Sequence, residues 1–225
     1  MQDRQSQEPY RVIAIDGPAA SGKSSVAREL ARRLGFVYVN SGAMYRAVTW
    51  CVLEHNVDPT DSERIAGLME SVGINCDLRN NESRILIDDV DPADHLRDDR
   101  VNNGVSLVSR VPRVREILVE RMRSYARDHD LVMEGRDIGS VVFPDTPYKF
   151  YIDASPEVRS QRRALQGERD AIAARDHADS SRQASPLVVA KDAEVIDSSK
   201  LTIEEVVDEI IRRLKSKGLT VASRS

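Results

Sequence analysis

The chain has 225 residues, 40% of them hydrophobic and 31% charged, with a formal net charge of −4, which suits one core domain with room for inserts. That mildly acidic balance argues against wholesale coating of nucleic acid, which needs a net basic surface, although basic residues can still converge in a cleft. The two cysteines, Cys51 and Cys76, form neither a CxxC pair nor an even framework, which argues against disulfide stapling and structural zinc and fits a reducing compartment.

The N-terminal MQDRQSQEP is polar, without an apolar h-region, and no run of about eighteen apolar residues occurs. Neither a signal peptide nor a membrane span is therefore expected, and the first nine and last six residues read as loose tails. YRVIAID (10–16) is a continuous apolar run and reads as a buried strand. KSSVARELARRL (23–34) follows as a helix that stops at Gly35. FVYVN (36–40) is the second strand, and Trp50 with Val48, Val52 and Leu53 reads as packing. Residues 57–108 hold a hairpin-like piece, GINCDLRNNESRILIDD, with polar NNES between two β-rich runs, and look inserted. Pro112 opens a helix over 112–129, with Val114, Ile117, Leu118, Met122 and Tyr125 at helical spacing.

LVME (131–134), YKFYID (148–153) and AEVID (193–197) complete the strands. Residues 155–182 are highly charged and have little to bury, which predicts mobility unless an anion orders them. LTIEEVVDEIIRRLKSKG (201–218) opens with a Thr202–Glu205 capping box and closes at Gly218. Strands alternating with helices predict an α/β fold with a five-stranded parallel sheet and helices on both faces. His55, His95, His129 and His177 have no metal-ligand spacing and read as surface or packing residues.

IDGPAASGKSS contains Gly17-x-x-x-x-Gly22-Lys23-Ser24 between a strand and a helix, the context a phosphate loop requires. Gly17, Pro18, Ala19, Ala20, Ser21, Gly22, Lys23, Ser24 and Ser25 are thus the expected ATP-binding stretch, wrapping phosphate oxygens with backbone N–H groups at a helix N-terminus. Lys23 supplies a point charge to the β- and γ-phosphates, and the Ser24 hydroxyl can reach Mg²⁺. No guanine-reading NKxD follows a strand and no long mechanical domain is present. That favours a small kinase holding a second substrate beside the γ-phosphate.

Three further clusters fall beyond the carboxyl ends of strands, where open α/β sheets bind ligands. They are Asn40-Ser41-Gly42-Ala43-Met44-Tyr45-Arg46, then Glu134-Gly135-Arg136-Asp137-Ile138-Gly139, and Ser106 with Arg115 around Pro112. A fourth is ARDHADSSR, where Arg175, Asp179 and Arg182 at i, i+4 and i+7 share one helix face. Taken singly, an Arg-Asp dipeptide is ordinarily a local ion pair and a charged helix face is ordinarily solvated.

GPAASGKSS, SGAMYR, SRVPRVRE, EGRDIGSVVFPD and RDHADSSRQASPL, in that order, resemble the bacterial cytidylate kinases, a family of nucleoside monophosphate kinases, over residues 10 to 215. The resemblance implies a phosphate-loop kinase core (10–56, 109–154 and 183–218), a nucleotide-binding insert (57–108) and a lid (155–182). It also implies ATP with Mg²⁺ as phosphoryl donor, CMP or dCMP as acceptor, and a cytoplasmic monomer without nucleic-acid or membrane partners. Arg46, Arg136 and Arg182 would grip the acceptor α-phosphate, with Ser41 and Tyr45 nearby, and with Lys23 they form the catalytic set. Ser106, Arg115 and Asp137 would read the base, and Arg175 and Asp179 would hold the ribose.

Cytosine chemistry agrees: Asp137 can accept from N4–H while Arg115 and Ser106 donate to the ring acceptors, whereas uracil would set a carbonyl against Asp137. Arg162 and Arg163 are open to two readings, contact with the transferring phosphate or a solvated surface pair. Two departures stand out. Asn40 replaces the aspartate usual before Ser-Gly, which removes a charge from the outer shell of Mg²⁺; either Asp16 compensates or the position matters little, and the lid is short by roughly a helical hairpin. A broader UMP/CMP kinase and a non-catalytic nucleotide-operated binding module are the alternatives.

Overall fold

A computed structural model describes residues 10–165 and 187–219. The predicted tails and the segment carrying Arg175, His177, Asp179 and Arg182 lie outside the described residues. Among the described residues, seven strands form one sheet: β1 (Val12–Asp16), β2 (Val37–Asn40), β3 (Ile74–Arg79), β4 (Glu82–Ile87), β5 (Leu131–Gly135), β6 (Tyr148–Asp153) and β7 (Glu194–Asp197), in the spatial order β3-β4-β2-β5-β1-β6-β7. All neighbours pair in parallel except β3 with β4.

The five parallel strands read from the sequence are all present, and the sheet gains two more. The segment read as an inserted hairpin does form one, turning at Asn80 and Asn81, both at positive φ (54° and 60°), which a right-twisted two-residue hairpin requires. Its second strand then joins the main sheet beside β2 through the Tyr38–Glu82 register. Hydrophobic patterning within the hairpin predicts its own pairing, but not which outer edge accepts it.

Helices α1 (Lys23–Leu34), α2 (Ser41–Glu54), α3 (Ser62–Ser71), α4 (Asp99–Val108), α5 (Pro112–Tyr125), α6 (Pro156–Leu165) and α7 (Ile203–Ser216) connect and cover the strands. The period-2 alternation of β1 divides the core. Val12 and Ala14 face a cluster with Met44, Val48, Val108 and Leu118 from α2, α4 and α5. Ile13 and Ile15 face Val26, Leu30, Val207 and Ile210 from α1 and α7. Burial on both faces explains why the central strands read as continuous apolar runs.

Gly35 ends α1 in the left-handed conformation, its N–H donating to Ala31 O. The capping box of α7 is formed in both directions between Thr202 and Glu205. The predicted 112–129 helix stops at Tyr125, where the Ala126 N–H bonds back to Arg123 and Ser124. Helices α2, α3 and α4 escape the periodicity reading, since each is short or nearly apolar all round.

Candidate nucleotide and phosphate site

The carboxyl ends of β1, β2 and β5 open on one cleft of about 460 Å³, lined at one end by Lys23 and Ser24 and at the other by Arg46, Ser106, Arg136 and Asp137. The topology thus brings together clusters more than a hundred residues apart in the chain.

At the phosphate loop, a Cβ on Gly17 would lie 2.2 Å from Ile152 O, so no larger residue fits this approach to β6. Ala20 and Gly22 take positive φ (58° and 91°). Helix α1 begins without a side-chain cap and with no acidic residue in its first turn. Its first N–H groups are therefore left for an anion, and the helix dipole favours one there. Lys23 is buried, and its ammonium donates to Pro18 O at 3.0 Å.

Two guanidiniums from α6 brace this loop from behind: Arg159 donates to Ala19 O (3.3 Å), and Arg162 to Ser21 O (3.0 Å) and to Ser198. Arg163 is buried and lines the cleft. A solvated surface pair is thus the wrong description of Arg162 and Arg163.

On the acceptor side, Ser41 Oγ donates to Glu134 O (2.7 Å), and Tyr45 is buried beneath the Arg115 guanidinium, 5.7 Å from its ring centre. Arg46 donates to Gly42 O (3.1 Å) and reaches the cleft wall. Arg136 and Asp137 follow β5 directly. Asp137 is not paired with its sequence neighbour; it forms a buried ion pair with Arg115, 22 residues away. Arg115 stands behind Asp137 rather than on the cleft wall, so it orients the carboxylate whose other side faces the cleft.

Asn40 caps α2 by accepting from Ala43 N (2.9 Å), and its amide donates to the Tyr38 hydroxyl (3.2 Å). Both Asp16 oxygens accept backbone N–H groups from Ile138 and Gly139, and its side chain is not on the cleft wall. The carboxylate beside Ser24 is Glu134, which accepts from Ser24 Oγ at 2.8 Å. No role was read for Glu134 in the sequence, yet a signal was present: it is the acidic end of an apolar strand lying next to β1. Burial, together with the adjacent Glu134 charge, pushes the Tyr38 phenol well above its ordinary range.

A hydroxyl and a carboxylate at the phosphate-loop end are hard oxygen donors that suit Mg²⁺. Among the described residues no group of three or more His, Cys, Asp or Glu is placed to hold a metal. A magnesium ion arriving on ATP needs only one or two protein oxygens, since it keeps waters and phosphate oxygens as its other ligands. Ser24 and Glu134 fit that demand. Arg97 and Asn102, from the insert, also line the cleft, and nothing in their sequence context singled them out.

A phosphate loop at the end of β1, facing an arginine-lined second pocket across one cleft, defines a phosphate-loop phosphotransferase. The comparisons place it more closely. A family model described as cytidylate kinase matches residues 13–216. A cytidylate kinase of Clostridium botulinum (strain Langeland) is 42% identical over 214 residues, covering 90% of this chain and 97% of that one. A cytidylate kinase of Pelotomaculum thermopropionicum is 44% identical over 217 residues, covering 91% and 96%. The chain belongs to the cytidylate kinase family. In fold it is also similar to a crystal structure of an uncharacterized protein from Eubacterium ventriosum, with a TM-score of 0.51 at 14% identity, covering 92% of this chain and 99% of that one.

Proposed function

We propose that the protein transfers the γ-phosphoryl group of ATP to CMP or dCMP, giving ADP and CDP or dCDP. The observation that carries this reading is the shared cleft, with phosphate-loop groups at one end and Arg136 and the Arg115-backed Asp137 at the other. An oxygen of the acceptor α-phosphate forms the new bond to the γ-phosphorus while the bond from that phosphorus to the β,γ-bridging oxygen breaks, leaving ADP. The attacking oxygen is already anionic, so no strong general base is required. Positioning and charge neutralisation supply the catalysis.

In this reading the N–H groups at the start of α1 and the Lys23 ammonium take the donor phosphates. Arg46 and Arg136 hold the acceptor phosphate, with Ser41 and Tyr45 shaping its approach. Asp137 accepts from the cytosine amino group. Ser106 donates to the ring, and Arg115 contributes mainly by fixing Asp137. Arg175, Asp179 and Arg182 keep their proposed ribose and phosphate roles. Ser24 and Glu134 would hold Mg²⁺, which would supply charge neutralisation at the donor phosphates. Residues 57–108 act as the acceptor-binding insert and 155–182 as the lid, on a core of 10–56, 109–154 and 183–218, in a cytoplasmic monomer.

ADP release with ATP–Mg²⁺ and each of CMP, dCMP, UMP and AMP tests the proposal. Turnover confined to CMP and dCMP is expected. Equal turnover with UMP would overturn the base-reading assignment, and no turnover with any acceptor would overturn the activity.

A further inference from the structure

Asp16 is the last residue of β1, and the chain passes from it straight into the phosphate loop. Its carboxylate is buried, and both of its oxygens accept backbone N–H groups in one place. Oδ1 accepts from Ile138 N at 2.9 Å and Oδ2 from Gly139 N at 2.8 Å. These are the first two residues of a π-helical turn, Ile138–Val142, that immediately follows Arg136 and Asp137 and has no side-chain cap of its own.

The same loop is also packed closely against the Lys149 side chain. A Cβ on Gly139 would lie 3.2 Å from the Lys149 Cγ and Cδ and 3.4 Å from Asp16 Oδ2. The Lys149 stem cannot swing away, because its buried ammonium donates to both oxygens of Asp192 (2.7 and 2.8 Å) and to Pro144 O. Burying a carboxylate here is costly, and desolvation lifts its pKa to about 6 even against the two N–H bonds. Packing alone would be served better by an apolar residue.

Two converging N–H donors require two acceptor atoms on one rigid group. A carboxylate has them; an asparagine has one, and its amide would meet an N–H with an N–H. We propose that Asp16 is a positioning residue that ties the backbone of the acceptor loop to the base of the phosphate loop, holding Arg136 and Asp137 in register with the γ-phosphate. This rests on the acceptor reading given above. The donor side does not depend on Asp16 in the same way, since Arg159 and Arg162 brace the phosphate loop separately.

The test compares Asp16→Asn, Gly139→Ala and Asp137→Ala with the parent in steady-state kinetics with ATP, CMP and UMP, alongside thermal melting. Asp16→Asn is expected to raise KM for CMP and lower kcat, together on the order of tenfold to a hundredfold in kcat/KM. It should compress the CMP-to-UMP preference and change KM for ATP less than KM for CMP, since the phosphate loop keeps its Arg159 and Arg162 braces. Gly139→Ala, whose Cβ would crowd both the Lys149 stem and Asp16 Oδ2 at the same contact, should give the same split if Asp16→Asn fails to fold. A folded Asp16→Asn enzyme, or in its absence Gly139→Ala, with parental KM for CMP and parental base preference would overturn the inference. Asp137→Ala separates the two layers: if it keeps the parental base preference, the acceptor reading fails whatever Asp16→Asn does. If it loses that preference while Asp16→Asn keeps it, only the positioning role fails.

Discussion

The Arg115–Asp137 pair allows stability and substrate reading to be separated. Both side chains are nearly solvent-free, at 8% and 6% exposure. Asp137→Ala leaves the Arg115 guanidinium buried without its counter-charge, a change that costs about 3–5 kcal/mol. Replacing both partners by apolar residues of similar volume, Arg115→Met with Asp137→Leu, removes the stranded charge, and such replacements are often neutral or stabilising. The double variant should therefore recover most of the stability lost by the single one.

Activity should follow the opposite logic. Neither variant offers an acceptor to the cytosine amino group, and sites built around such bonds lose on the order of 10⁴ in discrimination when the bond is removed. Urea unfolding of the parent, the single and the double variant, followed by kcat/KM for CMP and UMP, measures both. A double variant that recovers stability and still prefers CMP over UMP would refute the base-reading argument. A single variant as stable as the parent would refute the energetic one.

Glu134→Gln keeps the shape beside Ser24 and removes the charge; the Mg²⁺ concentration for half-maximal turnover should rise about tenfold or more, as expected when a metal-supporting carboxylate is neutralised, and a magnesium titration of the rate checks it. For Asp16 the folded pKa of about 6 lies above the ordinary 3.8, so the folded chain binds the extra proton between those values and the contribution of this group to stability falls as pH rises through that window. Relative to the parent, Asp16→Asn should thus gain up to about 3 kcal/mol between pH 4 and pH 6, read as the difference between two melting-against-pH curves; a constant or opposite difference would contradict the sign. Thr202→Ala removes the α7 capping box and should cost about 1 kcal/mol, seen in thermal melting, with kcat/KM unchanged.

The phosphate loop was legible because its chemistry is local. Glycines at fixed spacing, a lysine and a hydroxyl after a strand carry their own backbone requirements, and the structure meets them at Gly17, Ala20 and Gly22. The central strands were legible for a related reason: burial on both faces selects mostly apolar runs, with Asp16 and Glu134 only at their carboxyl ends. The partner of Asp137 was not legible. Asp137 and Arg115 were both read as base contacts, whereas in the structure they form a buried ion pair with each other, 22 residues apart. Glu134 went unassigned, and for Asn40 two readings stood side by side, compensation by Asp16 or a position of little consequence.

The amino-acid sequence by itself determined which residue types carry the chemistry and which segments become buried strands, because propensity, periodicity and phosphate-loop geometry act over a few residues. Tertiary structure alone decided that Glu134 meets Ser24 across 110 positions and that Asp16 reaches Ile138 and Gly139 across more than 120. It likewise decided that the 74–87 hairpin extends the sheet beside β2. The physical reason is that parallel strand order and register bring distant strand ends side by side, and no local pattern encodes which neighbour a strand will take.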